Sequence, residues 1–204
     1  MAIWANWQRV TRGAGRGLLA ALMLIAATAI AGTQTAALKA GVFDPPRQAP
    51  DFSLQGSNDT ELKLSQFRGK LVVLGFGFTS CADVCPTTLA VLASAHKKLG
   101  AEAGNVQIVY VTVDAQRDNA AQLKRYLATF DPTFIGGTGS DEQLAAVRRL
   151  YGIQSEKKVF GNSYAFAHSS YTYLIDRRGT LRALMPFGHT PDDYVHDLKV
   201  LLAE

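Results

Sequence analysis

The feature that most limits the fold of this chain is an unbroken apolar run, LVVLGFGF, at residues 71–78. Gly69 and Lys70 precede the run, and Thr79 and Ser80 follow it. Eight residues between such polar or turn-forming neighbours have the length of a strand rather than that of a buried helix. A strand without a polar face is buried on both sides, and such strands lie in sheets that helices cover. The run therefore predicts an α/β domain with a buried central strand.

Strand and helix patterns alternate along the rest of the chain. Apolar residues with helical spacing run from Pro86 to Leu99 and end at Gly100. The further predicted elements are a strand at 106–113, a helix capped by Asp118 that runs to about Phe130, a helix capped by Ser140 that runs through Leu150 to Gly152, strands at 171–175 and 181–185, and a last helix that begins at Thr190–Pro191. This order predicts a single α/β domain whose central sheet is flanked by helices.

The N-terminal segment has a different character. Arg9, Arg12 and Arg16 precede a stretch without charge at 17–38, whose centre at 18–31 is strongly apolar. As a helix, this stretch would span about 30 Å, which is the thickness of a hydrocarbon core. The small residues Ala29 and Ala31 at the end of this centre, just before Gly32, also fit a signal-peptide cleavage site. We expect a transmembrane anchor or a signal segment, with the anchor preferred for its length, and the arginines place the folded domain across the membrane from the cytoplasm.

These observations divide the chain into three parts. An anchor or signal segment occupies 1–38, a Pro-rich extended tether occupies 39–51, and the folded domain occupies 52–204. The formal net charge of the chain is +4, but 1–38 carries three Arg and no acid, so the rest of the chain is nearly neutral. The folded part therefore lacks the basic excess that nucleic-acid binding needs, and we predict no nucleic-acid partner.

Both cysteines, Cys81 and Cys85, lie between the first buried strand and the first long helix. A helix start lowers the pKa of a thiol and so favours the thiolate. Residues four apart also lie on one side of a helical turn, where two sulfurs can face a common centre. Two soft thiolates suit monovalent copper better than a hard cation. The ordinary alternatives are a structural disulfide or two small buried apolar side chains.

Two thiolates need a third ligand to hold copper in a defined geometry. His168 is a candidate, because it lies just before the predicted strand at 171–175, in a loop that follows a Gly161–Asn162 turn. An imidazole with two thiolates would accommodate both copper oxidation states, although a lone loop histidine is more often simply solvated. The other three histidines have ordinary structural or surface interpretations: His96, His189 and His196.

Taken together, three segments closely resemble the Sco/SenC family of copper-binding assembly proteins. They are GFGFTSCADVCPTTL at 75–89, VDAQRD at 113–118, and HSS at 168–170 with YLID at 173–176. The resemblance covers roughly residues 45–203, and its C-x-x-x-C-P motif is specific because related thioredoxin-like reductases usually have C-x-x-C. It implies a thioredoxin-like fold, often on an N-terminal membrane anchor, and a role in maturing the dinuclear copper centre (CuA) of cytochrome c oxidase.

The resemblance also implies roles for individual residues. Cys81 and Cys85 would be the two thiolate ligands of copper, as Cu(I), Cu(II) or both, and His168 would be the imidazole ligand. Asp114 matches an acidic position near the family's site, where it would tune the cysteines or contact a partner. An acidic residue that simply ends a strand is an equally good interpretation of Asp114.

The function that this resemblance implies is that of a metallochaperone rather than an enzyme, delivering copper to the CuA site during oxidase assembly. The expected partners are the oxidase subunit that carries this site, an upstream copper chaperone or thiol reductant, and the membrane. The expected location is the inner membrane with the domain in the periplasm, or the mitochondrial equivalent.

The main alternative is a membrane-anchored thiol-disulfide reductase. In this case, Cys81 and Cys85 would be a redox pair that keeps the acceptor's cysteines reduced. A peroxidase of the peroxiredoxin type fits less well, because Ala82 stands where such a protein has Thr, three residues before its reactive cysteine.

Overall fold

The structure is a computed structural model that describes residues 37–204. The predicted anchor or signal segment, apart from its last two residues, lies outside this range. Within residues 37–204, no helix has both the length and the apolar character that a membrane span requires.

Ten strands and four α-helices make up the described part of the chain. The strands are β1 (Gly41–Gln48), β2 (Ser53–Gly56), β3 (Glu61–Lys63), β4 (Leu71–Gly77), β5 (Val106–Thr112), β6 (Ile135–Thr138), β7 (Ser155–Phe160), β8 (Ser163–His168), β9 (Tyr171–Ile175) and β10 (Thr180–Pro186). The helices are α1 (Val84–Lys98), α2 (Ala120–Ala128), α3 (Asp141–Tyr151) and α4 (Pro191–Leu202). Short 3-10 helices lie at Leu64–Phe67 and Gly100–Asn105.

Eight strands form one mixed sheet in the order β1-β10-β9-β4-β5-β6-β2-β3. The central strands β4, β5 and β6 are parallel, whereas β9 is antiparallel to β4. All seven residues of β4 are buried, as the apolar run predicts. Helix α1 packs against α4, and α2 packs against β6. The predicted central sheet flanked by helices is therefore confirmed.

Three of the predicted helix ends are also confirmed, and one is wrong. Ser140 and Thr190 cap α3 and α4 with their side chains, and Gly152 ends α3 in the left-handed conformation, with φ of 65°. The cap of α2 is Asn119 rather than Asp118, because the Asn119 side chain accepts the hydrogen bond from the helix. The carboxylate of Asp118 has other partners, near the cysteines.

The segment predicted as a tether is extended, but the sheet includes most of it. Strand β1 pairs with β10 as an antiparallel edge strand. Upstream of β1, the backbone N–H groups of Lys39 and Ala40 donate to the carboxylate of Asp197 on α4, at 2.8 and 2.9 Å. The ordered domain therefore starts before Phe52, the start that the sequence predicts.

The loop predicted before β9 is instead a separate two-stranded sheet. Strands β7 and β8 pair along their full lengths, and Gly161 turns the chain between them with φ of 56°. His168 is the last residue of β8, and only Ser169 and Ser170 separate it from β9. Most residues of this hairpin are exposed or half-buried, so they lack the apolar alternation that identifies a strand in a sequence.

Candidate metal centre

The turn from β4 into α1 positions the two cysteines. Cys81 lies in the turn and is half-buried, whereas Cys85 is the second residue of α1 and is buried. The backbone N–H of Cys81 donates to the carbonyl of Phe78 at 3.3 Å. Both thiols are free. This is the place in the fold that the sequence predicts for them, between a buried strand and a helix.

Asp118 ties this turn to the neighbouring strand. Its carboxylate accepts hydrogen bonds from the backbone N–H and the hydroxyl of Thr79, at 2.9 and 2.6 Å. It also accepts one from the hydroxyl of Thr112, at the end of β5, at 2.6 Å. These bonds compensate the burial of the charge, since Asp118 is fully buried. The chain is thereby fixed two residues before Cys81.

His168 lies at the end of β8, 83 residues after Cys85, and its ring contacts the sulfur of Cys85. The distance from its Nε2 to Cys85 Sγ is 3.5 Å. Its Nδ1 lies 2.8 Å from the carbonyl oxygen of Ser169. A carbonyl can only accept, so Nδ1 carries the proton and Nε2 presents a lone pair to the sulfur. This is the tautomer that a metal-binding histidine uses when its other nitrogen is held by the backbone.

Burial changes the pKa values of both His168 and Cys85. It lowers the pKa of His168, although the hydrogen bond to Ser169 opposes this change, so the ring favours its neutral form. Burial raises the pKa of Cys85 to about 12, although a weak hydrogen bond from Tyr110 opposes this change. The prediction that the helix start favours the thiolate is therefore wrong for Cys85, because burial outweighs the helix terminus. A metal ion that binds there must displace the thiol proton.

The third group, Cys81, lies close enough to Cys85 to raise its pKa. Even so, residues 37–204 contain no three His, Cys, Asp or Glu side chains that are gathered closely enough to hold a metal ion as they stand. The two candidate ligands that already lie side by side are thus Cys85 and His168. Cys81, on the more exposed turn, is the side chain whose adjustment would complete the set.

Asp114 contacts the hairpin rather than the cysteines. It is 1% exposed, and its carboxylate accepts hydrogen bonds from the Tyr164 hydroxyl, at 2.9 Å, and from Arg117 Nε. Arg117 also donates to the carbonyl of Tyr164 at 3.0 Å, and its guanidinium lies 3.8 Å from the centre of the Tyr164 ring. Asp114 and Arg117 therefore hold β8, the strand that ends at His168.

The sequence patterns did not identify Arg117 or Tyr164 as parts of this arrangement. Arg117 follows β5 and Tyr164 is 47 residues away on β8, so their contact exists only once the hairpin has folded over the end of the sheet. A Tyr within a short, weakly apolar segment carries no pattern of its own. The acidic residue at 114, which the sequence did single out, is the group that joins them.

The remaining histidines have other partners. His96 Nδ1 lies 2.9 Å from Asp131, and His196 Nδ1 lies 2.8 Å from Asp197. His189 lies 3.5 Å from Asp193. The first pair joins α1 to the loop after α2, and the other two lie in α4 and the turn before it. They fit the structural or surface interpretation that the sequence gives them.

Comparison with known proteins gives consistent matches. The family model described as SCO1/SenC matches residues 43–203. An SCO2-like protein of Rickettsia felis is 33% identical over 153 residues, which cover 73% of this chain and 74% of that protein. The structure of Bradyrhizobium japonicum ScoI with copper bound has a TM-score of 0.71 and 30% identity, and the match covers 76% of this chain and 99% of that chain.

A third similar protein is BsSco, described as a member of the Sco family of cytochrome c oxidase assembly proteins in which a disulfide switch was identified. Its structure has a TM-score of 0.64 and 25% identity, with coverage of 79% of this chain and 97% of that chain.

Proposed function

Since the chain belongs to the SCO1/SenC family and has its thioredoxin-like fold, we propose that it is a copper metallochaperone. Copper is held by Cys81, Cys85 and His168 and is delivered to the CuA site of cytochrome c oxidase during assembly. Copper is the cargo of this protein, and no chemical conversion of a substrate is involved. Asp114 supports the site from outside the ligand set.

The observation that carries this proposal is the contact between the sulfur of Cys85 and the ring of His168. Their facing atoms are 3.5 Å apart although they come from separate elements, and the second ring nitrogen is already occupied by a carbonyl. Thiolate and neutral imidazole are ligands that copper prefers, and thiolates in particular favour Cu(I). A ring held only for packing would not need to turn its free lone pair toward a sulfur.

Loading and release follow from the chemistry of these groups. Copper replaces the protons of the two thiols, while the neutral ring of His168 donates its Nε2 lone pair without losing a proton. Release proceeds by exchange, with each thiolate of this chain replaced by a ligand of the acceptor. The partly exposed Cys81 is the ligand that an acceptor reaches first, because Cys85 is buried.

The similar proteins support the two halves of the proposal separately. The Bradyrhizobium ScoI structure contains copper. BsSco is described as belonging to a family of oxidase assembly proteins. The delivery to CuA, the oxidase subunit as partner, and an upstream chaperone or thiol reductant are extended from these to this chain.

We also propose that residues 17–38 anchor the protein in the inner membrane, with the domain in the periplasm. This rests on the uncharged stretch and the arginines before it. Alkaline phosphatase fused after Glu204 should then be active in intact cells. A fusion that is inactive, while the same fusion to a cytoplasmic reporter is active, would contradict an exported domain.

Copper titration of residues 37–204 tests the site. The double variant Cys81→Ser/Cys85→Ser should lose high-affinity Cu(I) binding, and His168→Ala should weaken it about 100-fold, since even residues outside the ligand shell contribute 10–100-fold. His189→Ala is the matched control, because His189 pairs with Asp193 and should leave affinity unchanged. Undiminished binding by the double variant would rule out the proposed ligands.

The same variants separate the metallochaperone from the thiol-disulfide reductase. A reductase needs the two thiols but not the imidazole. His168→Ala should therefore impair copper transfer to a CuA-domain acceptor while the rate of disulfide reduction in that acceptor stays near the parent value. Normal copper transfer by His168→Ala, with a reduction rate that still depends on Cys81 and Cys85, would favour the alternative.

A further inference from the structure

Tyr110, on β5, has an unused hydrogen-bond donor beside Cys85. Its side chain is 1% exposed, and its hydroxyl has no partner in ordinary hydrogen-bond geometry among the described residues. Burying a hydroxyl without a partner is costly, so such a group calls for an explanation. The cleft that Tyr110 lines together with Cys85 and His168 has a volume of about 10 Å³. That space is at the lower limit for one water molecule, so solvent does not readily supply the missing partner.

Two glycines of β4 make room for Tyr110. A Cβ on Gly75 would lie 3.3 Å from the Tyr110 ring. A Cβ on Gly77 would lie 1.7 Å from the Tyr110 hydroxyl and 2.7 Å from Cys85 Sγ. The hydroxyl and the sulfur therefore adjoin the same small space over Gly77, which no side chain could occupy. The glycines thus allow a hydroxyl to come close to a metal-ligand sulfur.

We propose that the Tyr110 hydroxyl donates a hydrogen bond to Cys85 Sγ when this sulfur holds copper as a thiolate. The inference rests on the proposed function and names a positioning residue for it. In the metal-free protein the hydroxyl already lies close to Cys85, but a neutral thiol is a weak acceptor and the contact does not reach ordinary hydrogen-bond geometry. A thiolate accepts a stronger, charge-assisted bond.

The bond would also act on the metal. Hydrogen bonds to a metal-bound sulfur also tune the metal, because they draw electron density away from it. Tyr110 should therefore affect both the strength of copper binding and the colour of the Cu(II) form.

Tyr110→Phe tests the proposal, with Tyr126→Phe as the matched control. Tyr126 also has a buried hydroxyl without a partner, but that hydroxyl forms no hydrogen bond with Cys85. Metal-free Tyr110→Phe should have a Tm equal to or above that of the parent, because it loses at most a weak contact with a neutral thiol. Its Cu(I) affinity should fall about tenfold. The sulfur-to-Cu(II) charge-transfer band should move to longer wavelength, and Tyr126→Phe should match the parent in all three measurements.

Three results would overturn the inference. One is a parent-like affinity and absorption band in Tyr110→Phe. Another is a lower Tm of the metal-free variant, which would show that the hydroxyl already makes a strong hydrogen bond without copper. The third is an equal effect of Tyr126→Phe. If the parent binds no copper, or Cys85→Ser binds it as tightly as the parent, the proposed function fails and the inference fails with it.

Discussion

The buried carboxylate of Asp118 determines where the cysteine turn begins. It joins the end of β4 to the end of β5 through three hydrogen bonds from Thr79 and Thr112. The sequence suggests a helix cap at this position, because an acidic residue precedes a helical pattern. Asn119 supplies the cap instead, and this leaves Asp118 free to face inward.

Replacing Asp118 by Ala should lower the free energy of unfolding by about 3 kcal/mol, because it leaves the buried Thr112 donor and the two half-buried Thr79 donors without their charged acceptor. Urea unfolding of the metal-free domain measures this change. Asp192→Ala is the control, since Asp192 forms an exposed pair with Lys98 and should cost less than about 1 kcal/mol. Equal losses of unfolding free energy in the two variants would show that the hydrogen bonds of Asp118 stabilise the fold no more than an exposed ion pair does.

The site divides into residues that a sequence can reveal and residues that it cannot. Cys81, Cys85 and His168 are chemically distinctive and lie in recognisable motifs, so their types and spacing point to them. Tyr110 is one apolar-looking residue in a buried strand. Its hydroxyl becomes notable only when the fold places it beside a sulfur from α1, and no local pattern contains that information.

Among the elements, the β7–β8 hairpin carries the candidate ligand His168 on a strand that is not part of the main sheet. It is held where Asp114 and Arg117 contact Tyr164, and the backbone N–H of Ser169 donates to the carbonyl of Gln154 at 3.0 Å. The position of the imidazole of His168 therefore depends on these polar contacts and on the packing of Phe78 against Phe166 and the ring, rather than on a continuous hydrogen-bonded ladder to β9.

Tyr164→Phe should loosen the hairpin without unfolding the domain, because it removes the hydroxyl bond to Asp114 but keeps the ring beside Arg117. We expect faster hydrogen–deuterium exchange in β7 and β8, a Cu(I) affinity about tenfold lower, and a Tm change of no more than about 3 °C. Val159→Ala, at the exposed tip, should change none of these. Unchanged hydrogen–deuterium exchange in Tyr164→Phe would show that the bond between Tyr164 and Asp114 does not hold the hairpin in place.

Sequence patterns predict the elements of the main sheet better than those of its periphery. β4, β5 and β9 are buried and β-branched or aromatic residues are frequent in them, so their apolar runs stand out. β1 contains two prolines and is largely exposed, which makes it look like a tether. Its strand character comes from pairing with β10 at the sheet edge, and β10 lies more than a hundred residues away.

For the molecule as a whole, a polar contact between His96 on α1 and Asp131 after α2 links two helical regions. Burial alone would raise the pKa of Asp131, but hydrogen bonds from Thr133 and His96 outweigh it and hold that pKa below its ordinary value. A carboxyl with a depressed pKa stabilises the fold above its unfolded pKa, near 4. That stabilisation is lost as the pH falls through the lower, folded value.

The unfolding free energy of the parent should therefore decrease more steeply below about pH 4 than that of Asp131→Asn, which has no carboxyl to titrate there. Urea unfolding between pH 7 and pH 3 checks this. Asp59→Asn, whose carboxylate forms an exposed pair with Lys124, should follow the parent. If the free energy of unfolding fell equally with pH in the parent and in Asp131→Asn, Asp131 would not contribute to the loss of stability in acid.

The separate hairpin also makes the protein suitable for labelling. Its turn at Gly161–Asn162 lies at the opposite end of β8 from the imidazole, roughly 17 Å away along a six-residue strand. A fluorophore attached there would stay clear of the ligands and still move with the strand that carries one of them. Its emission could then follow, in real time and in a living cell, when the ring engages its cargo and when it lets go.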